Sequence, residues 1–107
     1  MKPSAWVIPS ADKGGLNFDI NAIRQPVKTS LEVVYNIASA GDAQGHAAHA
    51  GLRTARLAAW AKLIGWTPTG MCLPLSYDSG ALVHLGGGLM QWVDKFATEF
   101  EASYPIQ

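Results

Sequence analysis

A chain of 107 residues has room for one domain and one core, with residues 1–107 expected to form a single compact unit of roughly 13 Å radius of gyration. Only 15% of the residues are charged and the formal net charge is zero, so no global field gathers nucleic acid or an anionic membrane, and little repulsion keeps partners off the surface. Cys72 is the only cysteine, which excludes an internal disulfide. Met1–Pro9 has no signal-peptide pattern and the longest uncharged stretches are broken by Pro68, Pro74 and Gly86-Gly87-Gly88, which predicts a cytoplasmic chain without a membrane span.

The first third reads as extended. Ala5–Ile8 is a short strand stopped by Pro9, Ala11–Gly15 a turn, and Leu16–Ile20 a second strand with the period-2 alternation of a half-buried sheet. Together they predict a hairpin with Trp6, Ile8, Leu16, Phe18 and Ile20 turned inward. Thr29-Ser30-Leu31-Glu32 then has the form of a capping box, and Leu31, Val34, Tyr35 and Ala38 follow at helical spacing up to Gly41.

Asp42 is placed to cap a second helix, which runs to about Gly65 before Trp66-Thr67-Pro68. Ala43, Ala47, Gly51, Ala55 and Ala59 recur at intervals of four along it. Such a thin ridge suits close approach of another element, in a core or in a homodimer. Beyond it, Met71–Tyr77 and Ala81–Leu85 flank Asp78-Ser79-Gly80 as a second hairpin, and Gly86-Gly87-Gly88 breaks the sheet. Leu89–Ser103 completes the chain as a helix with Leu89, Val93, Phe96, Phe100 and Tyr104 on one face. The expected class is α+β, two short antiparallel hairpins packed against about three helices with the alanine-rich one central.

On that central helix His46, His49, Arg53 and Arg56 are spaced 3, 4 and 3, a stripe continued by Trp60. Cations interleaved with an aromatic suit an acidic, partly apolar surface on a larger protein, since Trp and Arg are favoured interface anchors. The plainer reading is a solvated helix face. His46 and His49 stand one turn apart, as zinc ligands can, but no further Cys or His pair supports a metal, and none is expected. Cys72 with His84 across the second hairpin could form a nucleophile and base, although a lone free cysteine is more often core filling. Gly86-Gly87-Gly88 before a helix suits an anion cradle but lacks the P-loop residues.

These residues point to a non-enzymatic protein-binding module without a cofactor, an accessory or inhibitory protein that occludes a site on a larger host protein. A phage or mobile-element origin fits such a chain. The alternatives are an anion- or nucleic-acid-binding domain using the His/Arg stripe, disfavoured by the neutral charge, and a small metal- or cysteine-dependent enzyme.

Overall fold

The computed structural model describes residues 4–38, 46–70 and 72–106. Four long strands and one helix follow in the order β1 (Ser4–Gly14), β2 (Ala22–Ala38), α1 (His46–Leu63), β3 (Ser76–Gly86) and β4 (Leu89–Pro105). The strands form one antiparallel sheet in the order β1-β2-β4-β3. The pair at its centre is in register throughout, from Ala22 opposite Pro105 to Ala38 opposite Leu89. β1 flanks only Val27–Asn36 of β2, and β3 flanks only Leu89–Ala97 of β4. The remainder of the central pair is a two-stranded ribbon, and the described chain measures 62 × 23 × 17 Å with a radius of gyration of 18.1 Å.

This architecture corrects the expected α+β arrangement of two short hairpins against about three helices. The segments read as the first and last helices are β2 and β4 over their described residues. Around Val33, Tyr35 and Ile37 the chain is rich in β-branched and aromatic residues, which suit a pleated surface, and those three side chains are buried together. In β4 the face toward the core carries Met90, Trp92, Asp94 and Phe96, every second residue. Asp94 sits in that apolar series, so the period-2 signal is broken at its centre and the helical spacing of Leu89, Val93, Phe96, Phe100 and Tyr104 looks the better fit.

Both predicted hairpins are also replaced. β1 runs on to Gly14 through most of the expected Ala11–Gly15 turn, with a register shift between Pro9 and Ala11, and Leu16–Ile20 is a connecting loop rather than a strand. Its Leu16 and Ile20 are 90% and 91% exposed, and Trp6, Ile8 and Phe18 also face outward. β3 likewise passes through Asp78-Ser79-Gly80 with a bulge at Asp78. The glycines expected to break the sheet instead turn β3 into β4. Gly87 and Gly88 take φ of 59° and 77°, and a tight two-residue hairpin turn requires positive φ at both positions.

The alanine-rich helix is present. Its expected start at Asp42, and Ala43 with it, lie outside the described residues; its end is as expected, with Gly65 at φ 87° in the left-handed conformation that follows a helix C-terminus. Trp66 N–H donates to Leu63 O at 3.1 Å, and Gly65 N–H donates to Leu75 O at 2.8 Å, which ties the helix end to the approach to β3. Leu52 is buried on the sheet with Val33, Tyr35, Ile37, Leu75, Met90 and Phe96, and Ala55, Ala59, Trp60 and Leu63 pack around them. Each large side chain so buried contributes roughly 1.5–3 kcal/mol. Gly51, Ala55 and Ala59 of the ridge thus face the core, together with the Arg56–Trp60 edge of the helix.

Candidate functional site

Asp94 is fully buried under α1. Its carboxylate accepts from Arg56 Nε at 3.0 and 3.2 Å, Arg56 Nη2 at 3.0 Å, Trp60 Nε1 at 2.9 Å and Trp92 Nε1 at 2.8 Å. The Arg56 guanidinium lies over both indoles, 5.0 Å from the Trp60 ring centre and 4.6 Å from that of Trp92, an arrangement stabilised by the negative ring faces. Tyr77 accepts a longer bond from Arg56 Nη2 at 3.4 Å and stacks between Trp60 and Phe96 at 4.5 and 5.7 Å. A side chain at Gly80 would put its Cβ 2.5 Å from Tyr77 Oη and 2.7 Å from Asp94 Oδ1, so only glycine leaves this space free.

Burial alone disfavours the charged form of Asp94. The hydrogen bonds from Arg56, Trp60 and Trp92, with the Arg56 charge, outweigh it and hold the carboxyl below the ordinary range. Burial opposes the charge on Arg56 too, and the Asp94 carboxylate holds its pKa above the usual value. The Tyr35 hydroxyl is buried without a hydrogen-bond partner among the described residues; burial pushes its pKa up and the Asp94 charge adds to the rise. The neutralised pair therefore anchors the helix rather than presenting a reactive acid.

Of the five stripe residues, the structure divides four. Arg56 and Trp60 point to the sheet and hold Asp94, while His49 and Arg53 are exposed. The side chain of His46 lies outside the described residues. His49, Leu52, Arg53, Arg56, Leu57, Trp60 and Trp92 line a groove of about 510 Å³ beside the helix. Trp92 and Asp94 were not among the sequence candidates. The signal available for them was the alternation of Met90, Trp92, Asp94 and Phe96 with polar or small neighbours.

Cys72 and His84 do not meet. Cys72 Sγ lies 3.3 Å from Thr69 Oγ1, and its neighbour Leu73 donates to Glu99 O. His84 stands opposite Gln91, with Nε2 3.0 Å from Gly86 O. The eight steps along β4 from Gln91 to Glu99 span about 27 Å. Among the described residues no group of three or more His, Cys, Asp or Glu could hold a metal ion. No described helix is long and apolar enough to cross a membrane.

Large apolar side chains are left uncovered at three other places. Trp6, Val7 and Ile8 lie on the β1 edge, Leu82, Val83 and Leu85 on the β3 edge, and Leu16, Ile20, Tyr104 and Ile106 at the ribbon end. Edge strands of this kind invite pairing and are normally blunted or covered. The described residues thus form a small antiparallel sheet with one clamped helix and bare apolar edges. The family model for phage tail terminator protein matches residues 1–105, so this chain belongs to that family. No curated protein matches it. The family is of a structural, non-enzymatic kind whose members assemble with other phage tail proteins.

Proposed function

We propose that the chain ends the phage tail by docking on neighbouring tail proteins, with its bare edges, ribbon end and helix groove as the contact surfaces. The observation that carries this reading is the family match over residues 1–105; the uncovered apolar side chains on β1, β3 and the ribbon end agree with it. The His46, His49, Arg53, Arg56 and Trp60 stripe takes part unequally. His49 and Arg53 offer charge at the groove rim, whereas Arg56 and Trp60 shape its floor while holding Asp94. An acidic, partly apolar partner surface suits that groove. Family membership favours this role in assembly over an inhibitor that occludes a host protein.

The test is to withdraw the chain during phage assembly and measure tails by electron microscopy. Tails of irregular length, restored to one length when the chain is supplied, are expected. Tails of unchanged, uniform length in its absence overturn the proposal.

A further inference from the structure

The loop that carries β1 into β2 is fixed by its own side chains. Asn17 Nδ2 donates to Asp19 O at 2.9 Å and to Ala22 O at 3.3 Å. Its Oδ1 accepts from Asp19 N–H at 3.3 Å and from Arg24 N–H at 2.7 Å. Asp19 Oδ1 in turn accepts from Asn21 N–H at 2.7 Å. Backbone bonds of 2.7 Å from Gly15 N–H to Pro26 O and 3.0 Å from Phe18 N–H to Arg24 O lay the loop along the edge of β2. Short polar side chains commonly bond the backbone two residues on; here one amide ties both limbs of the loop together.

That order does not serve burial. Leu16 and Ile20, before and after Asn17, are 90% and 91% exposed. Phe18 between them is half covered, with the Arg24 guanidinium 5.1 Å from its ring centre. A slack loop could turn its apolar side chains down onto the ribbon, whereas this one is held with them in water. Such rigidity suits docking, because the freedom that binding would remove is already lost.

The charges around the tip satisfy one another: Arg24 reaches Glu101 at 3.0 Å and Asp19 at 3.9 Å. A neutral apolar tip fits an uncharged apolar socket, since a charged one would be left desolvated and unpaired against it. The groove beside α1, edged by His49 and Arg53, is therefore a poor match. We infer that Leu16 and Ile20 form a docking tip for an uncharged apolar socket on a different tail protein, and that Asn17 is its positioning residue. This rests on the assembly role proposed above.

The test supplies purified variants to phage assembly from which the chain has been withdrawn, and measures the chain retained in purified tails. Asn17→Ala should lower incorporation about tenfold through loss of the bonds that order the loop, with urea unfolding unchanged. Asn17→Asp keeps both acceptor bonds and should stay within about threefold of the original. In the Leu16→Asp, Ile20→Asp background Asn17→Ala should lower incorporation no further, because a residue that only places two side chains has no effect once they are gone. Full incorporation of Asn17→Ala, a loss of stability in it, no recovery with Asn17→Asp, or a further loss in that background overturns the positioning role. Self-association of the purified protein that Leu16→Asp and Ile20→Asp weaken puts the socket on a second copy and overturns the partner. Irregular tails without the chain, together with full incorporation of Asn17→Ala, remove this inference and leave the proposed function standing. Uniform tails without the chain remove that function itself.

Discussion

The two ends of the central β2–β4 pair are built from the same antiparallel ladder, yet only one of them has a core. Where β2 runs from Leu31 to Ile37, it is flanked by β1 and, across β4, by β3, and α1 closes the face with Leu52, Trp60 and Leu63. Where it runs from Ala22 to Pro26, β4 is the one strand beside it, with the Gly15–Phe18 loop bonded to Arg24 and Pro26 along the other edge, and Ile23 and Tyr104 are cross-strand partners with both side chains exposed. Hydrogen bonding is therefore not what separates a stable end from an unfinished one. Removal of apolar surface from water stabilises the covered end more than its ladder does, and a two-stranded ribbon by itself is marginal. The covered end holds the fold, and the bare end has apolar surface still to bury.

The sharpest way to break that contrast is at Asp94. Asp94→Ala strands the Arg56 charge and two indole N–H groups under the helix, and loss of one partner of a buried ion pair costs about 3–5 kcal/mol. A fall of that size in urea-unfolding free energy is expected. The pH dependence follows from the lowered pKa of Asp94. Its contribution is complete above the unfolded carboxyl value of about 3.9 and is lost as pH falls through the lower folded value. Asp94→Asn should therefore flatten the acid limb of stability against pH, and an unchanged limb would assign acid unfolding to other carboxyls.

Gly80→Ala probes the same end more gently. Its methyl must displace the Tyr77 hydroxyl or the Asp94 carboxylate, and overpacking of this kind costs about 1–3 kcal/mol. Thermal unfolding should show the loss without a change in the far-ultraviolet spectrum. At the bare end the expectation reverses. Leu16→Asp with Ile20→Asp should alter monomer stability by no more than about 0.5 kcal/mol each, as exposed substitutions do, while reducing incorporation into tails. A large loss of stability in the double variant would mean that the ribbon end is already part of the core.

Much of α1 was legible because alanine needs little tertiary help to be helical, and its close at Gly65 because a left-handed residue after a helix favours glycine. Arg53, Arg56 and Trp60 were legible as one stripe for the same reason. Their separation into rim and floor was not, since it depends on where Asp94 lies. The longest misreadings came from local patterns with two physical interpretations. Leu31, Val34, Tyr35 and Ala38 fit one helical face, and Val33, Tyr35 and Ile37 fit one strand face. In β4, a carboxylate among core positions looks like a surface residue until its donors are known.

By itself, the sequence determined the composition of the partnership: one alanine helix able to lie close to its neighbour, no disulfide to staple the fold, a neutral chain with few charges, and more aromatic surface than a small core uses. Tertiary structure alone decided that Asp94 belongs inside. Burying that charge is costly until Arg56, Trp60 and Trp92 reach it, and they come from the helix and from β4 itself. Because that favourable environment exists only after the helix is docked, no local propensity could place the aspartate there, nor turn the last segment of the chain into a strand.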